Sequence, residues 1–343
     1  MIQEITQILA NKTDLSANQM EIAMEEIMSG RADTADIVSF LTSLNKKGQT
    51  LQELTAAVAV MRKYVTKINT DASNVLDTCG TGGDNKNTFN VSTVTAFVAS
   101  GVGITVAKHG NRSVSSLCGS ADILEALGVN INLTKEKIET CLSDIGIAFL
   151  FAQNLHPAMK YAMPARKQIA QRTIFNILGP LTNPAGASHQ LVGVYDLGLT
   201  KLLAAVLGNL GSKHALVVYG EDGLDEITTT GKTFIAESAH GKLNSYEVIP
   251  EDFGLKRARI EDFKGGSITD NAVIVMDILK GRVGPRRDIV ILNAAAAIYA
   301  ADRSKSIKEA MPLACESIDS GSALKKLELL KEYSNEAQTY GTK

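Results

Sequence analysis

Four short stretches of the chain carry side chains able to hold an anion, a cation or a planar carboxylate. The first is Asp77-Thr78-Cys79-Gly80-Thr81-Gly82-Gly83-Asp84, which ends a short apolar run and precedes Asn90-Val91-Ser92-Thr93 at a predicted helix start. Glycines at 80, 82 and 83 let backbone N–H groups approach a ligand closely, and a helix N-terminus adds partial positive charge, so the pair suits a phosphate. It is neither a Gly-Lys-Ser/Thr loop nor a G-x-G-x-x-G turn, because the lysine is absent and the glycine spacing differs. The second, Lys108-His109-Gly110-Asn111-Arg112 with Ser113, Ser115 and Ser116, places cations, an amide and hydroxyls directly after an apolar run. The carboxyl end of a parallel strand is where open α/β sheets bind ligands. Downstream, Gly119-Ser120-Ala121-Asp122 opens a predicted helix, with Ser120 able to cap it while the same terminus faces a phosphate.

The third stretch is Glu221-Asp222-Gly223-Leu224-Asp225-Glu226. Adjacent carboxylates in a loop suit magnesium, which prefers a few carboxylates plus waters and substrate phosphates to a closed protein cage. A ligand with a monophosphate and a pyrophosphate carries more than roughly -4 of charge, which Lys108 and Arg112 alone do not neutralise. A metal held by Asp225 and Glu226 would supply the remainder. The fourth runs from His156-Pro157 through Pro164-Ala165-Arg166 to Arg172-Thr173-Ile174-Phe175-Asn176-Ile177-Leu178-Gly179-Pro180-Leu181-Thr182-Asn183-Pro184. Arg166 follows a proline suited to a helix first turn, and its guanidinium can bind a carboxylate bidentately. Each stretch alone also has a plainer account: a strand-to-helix turn, a solvated charged loop, a solvated acidic loop, a surface arginine. The histidines show no metal-ligand spacing, which argues against zinc.

The elements that must position these residues change character along the chain. Residues 1–66 read as a small helical domain. Ser16 with Gln19, and Thr50 with Glu53, have the form of capping boxes, and Met20, Met24 and Ile27 or Leu54, Val58 and Met61 recur at helical spacing. From 72 to 343 short apolar runs alternate with glycine turns and helices, the pattern of an α/β domain with a mostly parallel sheet. Strands are predicted at 74–76, 104–107, 148–151, 215–219 and 234–236, and helices at 92–100, 122–127 and 199–207. At 343 residues and 45% apolar content the chain exceeds one core's usual size, about 250 to 300 residues. With 35 Lys and Arg against 37 Asp and Glu, there is no overall attraction to nucleic acid or an anionic membrane. No apolar run reaches the roughly 20 residues of a membrane span. Residues 1–16 have no secretory pattern, and the four cysteines form no C-x-x-C pair, so a reducing cytoplasm is the expected setting.

In order and separation, Gly80–Asp84, Lys108–Arg112, Gly223–Glu226 and Arg172–Pro184 resemble the motifs of anthranilate phosphoribosyltransferases. The resemblance covers nearly the whole chain, including Asn293 and the alanines after it. It implies a small helical domain and a larger α/β domain with the site between them, a fold shared with pyrimidine nucleoside phosphorylases. Residues 164–187 are then expected to pack back on the helical domain. It further implies that Gly80, Gly82, Gly83, Asp84, Thr88, Asn90, Ser92, Thr93, Lys108, Asn111, Ser116 and Ser120 line a phosphoribosyl pyrophosphate site. Ser92, Asp225 and Glu226 would serve Mg2+, while Gly80, His109, Asn111, Arg166 and Pro180 would meet anthranilate. A homodimer through the helical domain is implied as well. Cys79 and Gln153 depart from the family pattern, and neither supplies required chemistry. Two other readings stay open: a pyrimidine nucleoside phosphorylase, whose usual Lys-His-Ser-Thr-Gly-Gly loop is absent here, and a non-catalytic nucleic-acid-binding relative, which should show a basic face.

Overall fold

A computed structural model describes residues 1–84, 86–113 and 118–336. Four helices open the chain: α1 (Ile2–Ala10), α2 (Ala17–Met28), α3 (Thr34–Lys47) and α4 (Leu51–Lys63). Both capping boxes form, Ser16 with Gln19 and Thr50 with Glu53. Glu53 does more than cap, since it is fully buried and accepts from Leu15 N–H (2.8 Å) and from Lys47 Nζ (2.9 Å).

The α/β part follows as β1 (Val75–Gly80), α5 (Val91–Gly101), β2 (Thr105–Gly110), α6 (Ser120–Ala126), α7 (Lys135–Asp144) and β3 (Ile147–Phe151). Next come α8 (Ala152–Leu155), α9 (Met159–Ile169), α10 (Phe175–Leu178), β4 (His189–Gly193), α11 (Leu199–Asn209), β5 (His214–Gly220), β6 (Thr233–Ala239) and β7 (Lys242–Val248). Four helices close the described chain: α12 (Ile268–Leu279), α13 (Pro285–Ala300), α14 (Ile307–Asp319) and α15 (Ser322–Asn335). No described helix is long and apolar enough to cross a membrane.

The strands form one sheet in the order β3-β2-β1-β4-β5-β6-β7, parallel from β3 through β5 and antiparallel at β6 and β7. Connections from β1 run one way and those from β4 the other, so the boundary between them is the topological switch point where such sheets bind ligands. The strands from β3 through β5 are largely buried on both faces, and in β4 and β5 alternate side chains enter different cores. In β5, Leu216 and Val218 join one core with α5 and α13, while Ala215 and Val217 join the other. That second core also holds Met20, Leu54 and Val60 of the helical domain, Leu203 and Val206 of α11, and Ala162, Ala165, Phe175 and Leu178.

Several elements differ from the sequence reading. β4 and β7 are additional strands. β4 begins with buried His189 and Gln190, and β7 is a largely exposed edge strand reached through His240 and Gly241, both at positive φ as in a two-residue hairpin turn. Gly119, not Ser120, is the N-cap of α6, and Ser120 is its first helical residue. α5 begins at Val91, one residue before the predicted start, with Asn90 as its N-cap. Pro164 lies inside α9 rather than in its first turn.

At the amino ends of β4 and β5 sits a buried charged network. His214 Nδ1 meets Asp302 (2.8 Å) and its Nε2 meets Glu237 (3.0 Å), while Tyr299 donates to Glu237 (2.7 Å) and His189 Nε2 approaches Asp302 (3.3 Å).

Candidate functional site

The motif stretches converge on the carboxyl edge of β1, β2, β4 and β5. β1 delivers Gly80 and the loop after it, β4 ends at Gly193, and β5 ends at Gly220 before the acidic loop. Gly82 N–H donates to Asp225 Oδ2 (3.1 Å), Thr81 N–H to the Gly193 carbonyl (2.9 Å), and Ser92 N–H to Glu226 Oε1 (3.2 Å). The acidic loop can lie this close because β1 and β4 end in glycine. A Cβ on Gly193 would stand 1.6 Å from the Asp225 carbonyl oxygen, and one on Gly80 would stand 2.8 Å from Asp225 Oδ2. Asn293 of α13 holds the next residue from behind, accepting Ile227 N–H (2.9 Å) and donating to its carbonyl (2.8 Å).

The acidic side chains raise one another's pKa values. Burial, then the charge on Asp84, pushes Asp225 up to about 7. Burial, then Asp225, pushes Glu226 well above the carboxylate range. Asp84 is also raised by burial, and its Oδ2 is buried without a hydrogen-bond partner among the described residues. Such carboxylates fit a cation. No group of three His, Cys, Asp or Glu among the described residues is arranged to enclose a metal by itself. Asp222 stands apart from this set, since its Oδ2 accepts from Thr228 and Thr230 (both 2.6 Å) and shapes the loop instead.

Lys108 and His109 belong to β2 rather than to the loop after it. Lys108 is buried, with Nζ donating to the Thr78 carbonyl (2.5 Å) and Ser92 Oγ (3.2 Å), and burial lowers its pKa. His109 N–H donates to Asp77 Oδ1 (3.0 Å), whose other oxygen accepts from Asn183 Nδ2 (2.8 Å). Asn183 also donates to the Ala107 carbonyl (2.8 Å), so the asparagine-proline stretch is stitched to β1 and β2. Burial raises Asp77 to about 6.

Sequence reasoning missed the partner of His109. Its Nε2 lies 3.0 Å from His156 Nε2, with both rings buried. Burial, then His156, lowers His109 to about 3, and burial lowers His156 to about 4. Both rings are therefore neutral at neutral pH. With both rings neutral, one Nε2 carries the proton of this hydrogen bond and the other accepts it. His-Pro spacing was the available signal, but no local rule says which histidines meet.

The remaining candidates are placed unevenly. Asn111 Oδ1 accepts from Arg112 N–H (2.8 Å) and from Gln153 Nε2 (3.2 Å), so the departing residue Gln153 touches the loop. Arg112 is not free to neutralise a ligand, because it pairs with Asp122 (2.9 Å) and Glu125 (2.9 Å). Thr88 bridges to Lys264, and Asn90 Nδ2 donates to the Cys118 carbonyl (2.9 Å). Thr93 is fully buried in the first turn of α5, and its Oγ1 has no hydrogen-bond partner among the described residues. Ser120 Oγ donates to the Asn111 carbonyl (3.3 Å). Ser116 lies outside the described residues. Arg166 points past Met163 Sδ (3.8 Å) over the Phe175 ring (5.8 Å), and among the described residues no carboxylate pairs with it. Pro180 is buried, and its carbonyl accepts from Gln190 Nε2 (2.8 Å) and lies 3.8 Å from the Cys79 thiol.

Comparison with known proteins adds the family. Residues 3–65 match the helical bundle domain of a glycosyl transferase family and residues 72–324 its a/b domain. The anthranilate phosphoribosyltransferase of Symbiobacterium thermophilum is 51% identical over 327 residues, 95% of this chain and 96% of that one. The crystal structure of the Thermus thermophilus enzyme of the same name superposes with a TM-score of 0.92 at 38% identity, covering 97% of this chain and 99% of that one. The Saccharomyces cerevisiae enzyme, solved in complex with PRPP and Mg, superposes at 0.88 with 28% identity and 97% coverage of both chains. The two family domains, the sheet with its switch-point site and these relatives agree: the chain belongs to the anthranilate phosphoribosyltransferase family.

Proposed function

We propose that this chain transfers the 5-phosphoribosyl group of phosphoribosyl pyrophosphate to the amine of anthranilate, giving N-(5-phosphoribosyl)anthranilate and pyrophosphate in tryptophan biosynthesis. The observation that carries the reading is the contact between the glycine loop and the acidic loop at the switch point, Gly82 N–H to Asp225 Oδ2. It sets phosphate-binding backbone beside cation-binding carboxylates, as a pyrophosphate leaving group requires.

In the transfer the bond from ribose C1 to pyrophosphate oxygen breaks, with its electron pair leaving on the oxygen. The bond from C1 to the amine nitrogen forms with inversion, and the nitrogen gives up one proton to water. A neutral aromatic amine needs little activation, so the demand falls on positioning and charge stabilisation. Gly80, Gly82, Gly83 and Asp84, with Thr88, Asn90, Ser92, Thr93, Lys108, Asn111, Ser116 and Ser120, are the residues proposed for phosphoribosyl pyrophosphate. Buried Lys108 braces Thr78 and Ser92 beneath the glycine loop.

Asp225, Glu226 and Ser92 are proposed to hold Mg2+, which when bound offsets charge on the leaving pyrophosphate; the yeast relative's complex with PRPP and Mg supports this. For anthranilate, Arg166 offers the carboxylate a guanidinium that no described acid occupies, with Gly80, His109, Asn111 and Pro180 around the ring and amine. His109, neutral and hydrogen-bonded to His156, orients rather than deprotonates, and no residue is assigned as general base. The proposal includes a helical domain of residues 1–66, with 164–187 packed onto it, an α/β domain of 72–343, a homodimer through the helical domain, and a cytoplasmic setting. Neither nucleic acid nor membrane is a proposed partner.

The test follows anthranilate fluorescence after addition of phosphoribosyl pyrophosphate, with and without Mg2+. Loss of signal only when enzyme, both substrates and metal are present is the expected result. An unchanged signal together with phosphorolysis of thymidine or uridine would move the chain to the nucleoside phosphorylases.

A further inference from the structure

Arg172 lies in the connector between α9 and α10 and has none of the roles assigned above. Its guanidinium stacks on the Tyr195 ring, 3.8 Å from the ring centre, and its Nη2 donates to the Gly83 carbonyl. Its own carbonyl accepts from Asn45 Nδ2 of α3 (2.6 Å). Tyr195 N–H in turn donates to Thr81 Oγ1 (3.2 Å). One residue thus touches the helical domain, the chain after β4 and the glycine loop.

Arg172 is exposed, so burial does not explain why so long a side chain is ordered. The stack and the hydrogen bond do, and both need a planar, multi-donor cation. They act on a residue of the loop that only glycine suits. Gly83 has φ +78°, and a Cβ there would lie 3.1 Å from the guanidinium. Because a trans peptide directs C=O and N–H to opposite sides, holding the Gly83 carbonyl on Arg172 keeps the Asp84 N–H turned the other way.

We propose that Arg172 is a positioning residue for phosphoribosyl pyrophosphate: it holds the Gly82-Gly83-Asp84 turn in its phosphate-binding shape and ties that turn through Asn45 to the helical domain. The inference rests on the phosphoribosyltransferase reading. A preorganised loop binds without a further ordering cost, so losing this brace weakens ground-state binding of that substrate more than it slows transfer.

The experiment compares wild type, Arg172→Ala, Arg172→Lys and Asn45→Ala by steady-state kinetics, by calorimetric binding of phosphoribosyl pyrophosphate with Mg2+, and by thermal melting. Arg172→Ala should raise KM and Kd for phosphoribosyl pyrophosphate about tenfold or more, as for loss of a hydrogen bond to a charged group. Its kcat, its KM for anthranilate and its melting temperature should stay near wild type. Arg172→Lys keeps the charge but not the fork or the stack, and should resemble Arg172→Ala. Full recovery by lysine would make Arg172 a simple counter-charge and overturn the positioning role. Asn45→Ala should give part of the same loss and add nothing in the Arg172→Ala background, whereas additive losses would cut the proposed tie. If wild type turns over and Arg172→Ala matches it in Kd, only this inference fails. If wild type itself does not consume anthranilate, the functional reading fails first. Should Arg172→Ala melt early, Arg172→Lys carries the same test.

Discussion

Asp225 and Glu226 are placed where their ionised forms are disfavoured until a cation arrives. Asp225 loses its proton near its ordinary 3.8 in an unfolded chain but only at about 7 in this fold. The raised value means that the stability it contributes is full below its unfolded value and is lost as pH rises through about 7. A bound cation reverses that preference, so binding Mg2+ with phosphoribosyl pyrophosphate should release protons, and the metal requirement should fall as pH rises through that region. Titration calorimetry in buffers of different ionisation enthalpy measures the release. Asp225→Asn should reduce it, leaving the share of Glu226 and Asp84, which are raised as well, and weaken the metal response in mildly alkaline solution by about tenfold or more. Equal proton release by the variant would remove Asp225 from the metal site.

At the scale of elements, the site depends on helices that never touch it. Asn293 sits fully buried in α13, and its side chain satisfies both backbone groups of Ile227, one residue beyond Glu226. Asn293→Ala would leave buried polar groups unpaired at about 1–3 kcal/mol each. A lower melting temperature together with a weaker Mg2+ response is the expected outcome; a stability loss with an unchanged metal response would show that α13 supports only the fold. Asn293 also marks where legibility ends. The capping boxes of α2 and α4 were readable because Ser16 with Gln19 and Thr50 with Glu53 act within one turn. The glycine and acidic loops were readable because a phosphate or a metal demands those residue types. By contrast, the His109–His156 pair, the Arg112 ion pairs and the Asn293 clasp join residues distant in sequence or separated by a loop, and no periodicity encodes them. β4 was missed because buried polar residues open it, and β7 because an edge strand needs no apolar face. The burial of Lys47 against Glu53 likewise has no local signal, since the two residues belong to different helices.

Across the molecule, charge is also buried at the edge of the sheet opposite the substrates. His214 faces Asp302 and Glu237 with both ring nitrogens, with His189, His240, Tyr246 and Tyr299 around it and Lys213 near His189. Although burial lowers its pKa, the two carboxylates win and the net shift is upward, while Glu237 and Asp302 are lowered. The stability from His214 is therefore full below its ordinary 6.5 and lost as pH rises through its raised value, whereas that from the two acids is lost as pH falls through their lowered values. Melting temperature against pH should plateau in mildly acidic solution and decline on the alkaline side. His214→Gln should flatten that decline and lower the plateau, because removing one partner of a buried pair costs about 3–5 kcal/mol.

The second core reaches without a break from Met20 and Leu54 in the small domain to Val206 and Val217 beneath the sheet. There is thus no seam along which the two parts can come cleanly apart. Close-packed interiors transmit displacement rather than absorb it. The weld makes the two parts share one fate: a substitution at Met20 or Leu54 in the small domain is felt at Val206 and Val217 beneath the sheet.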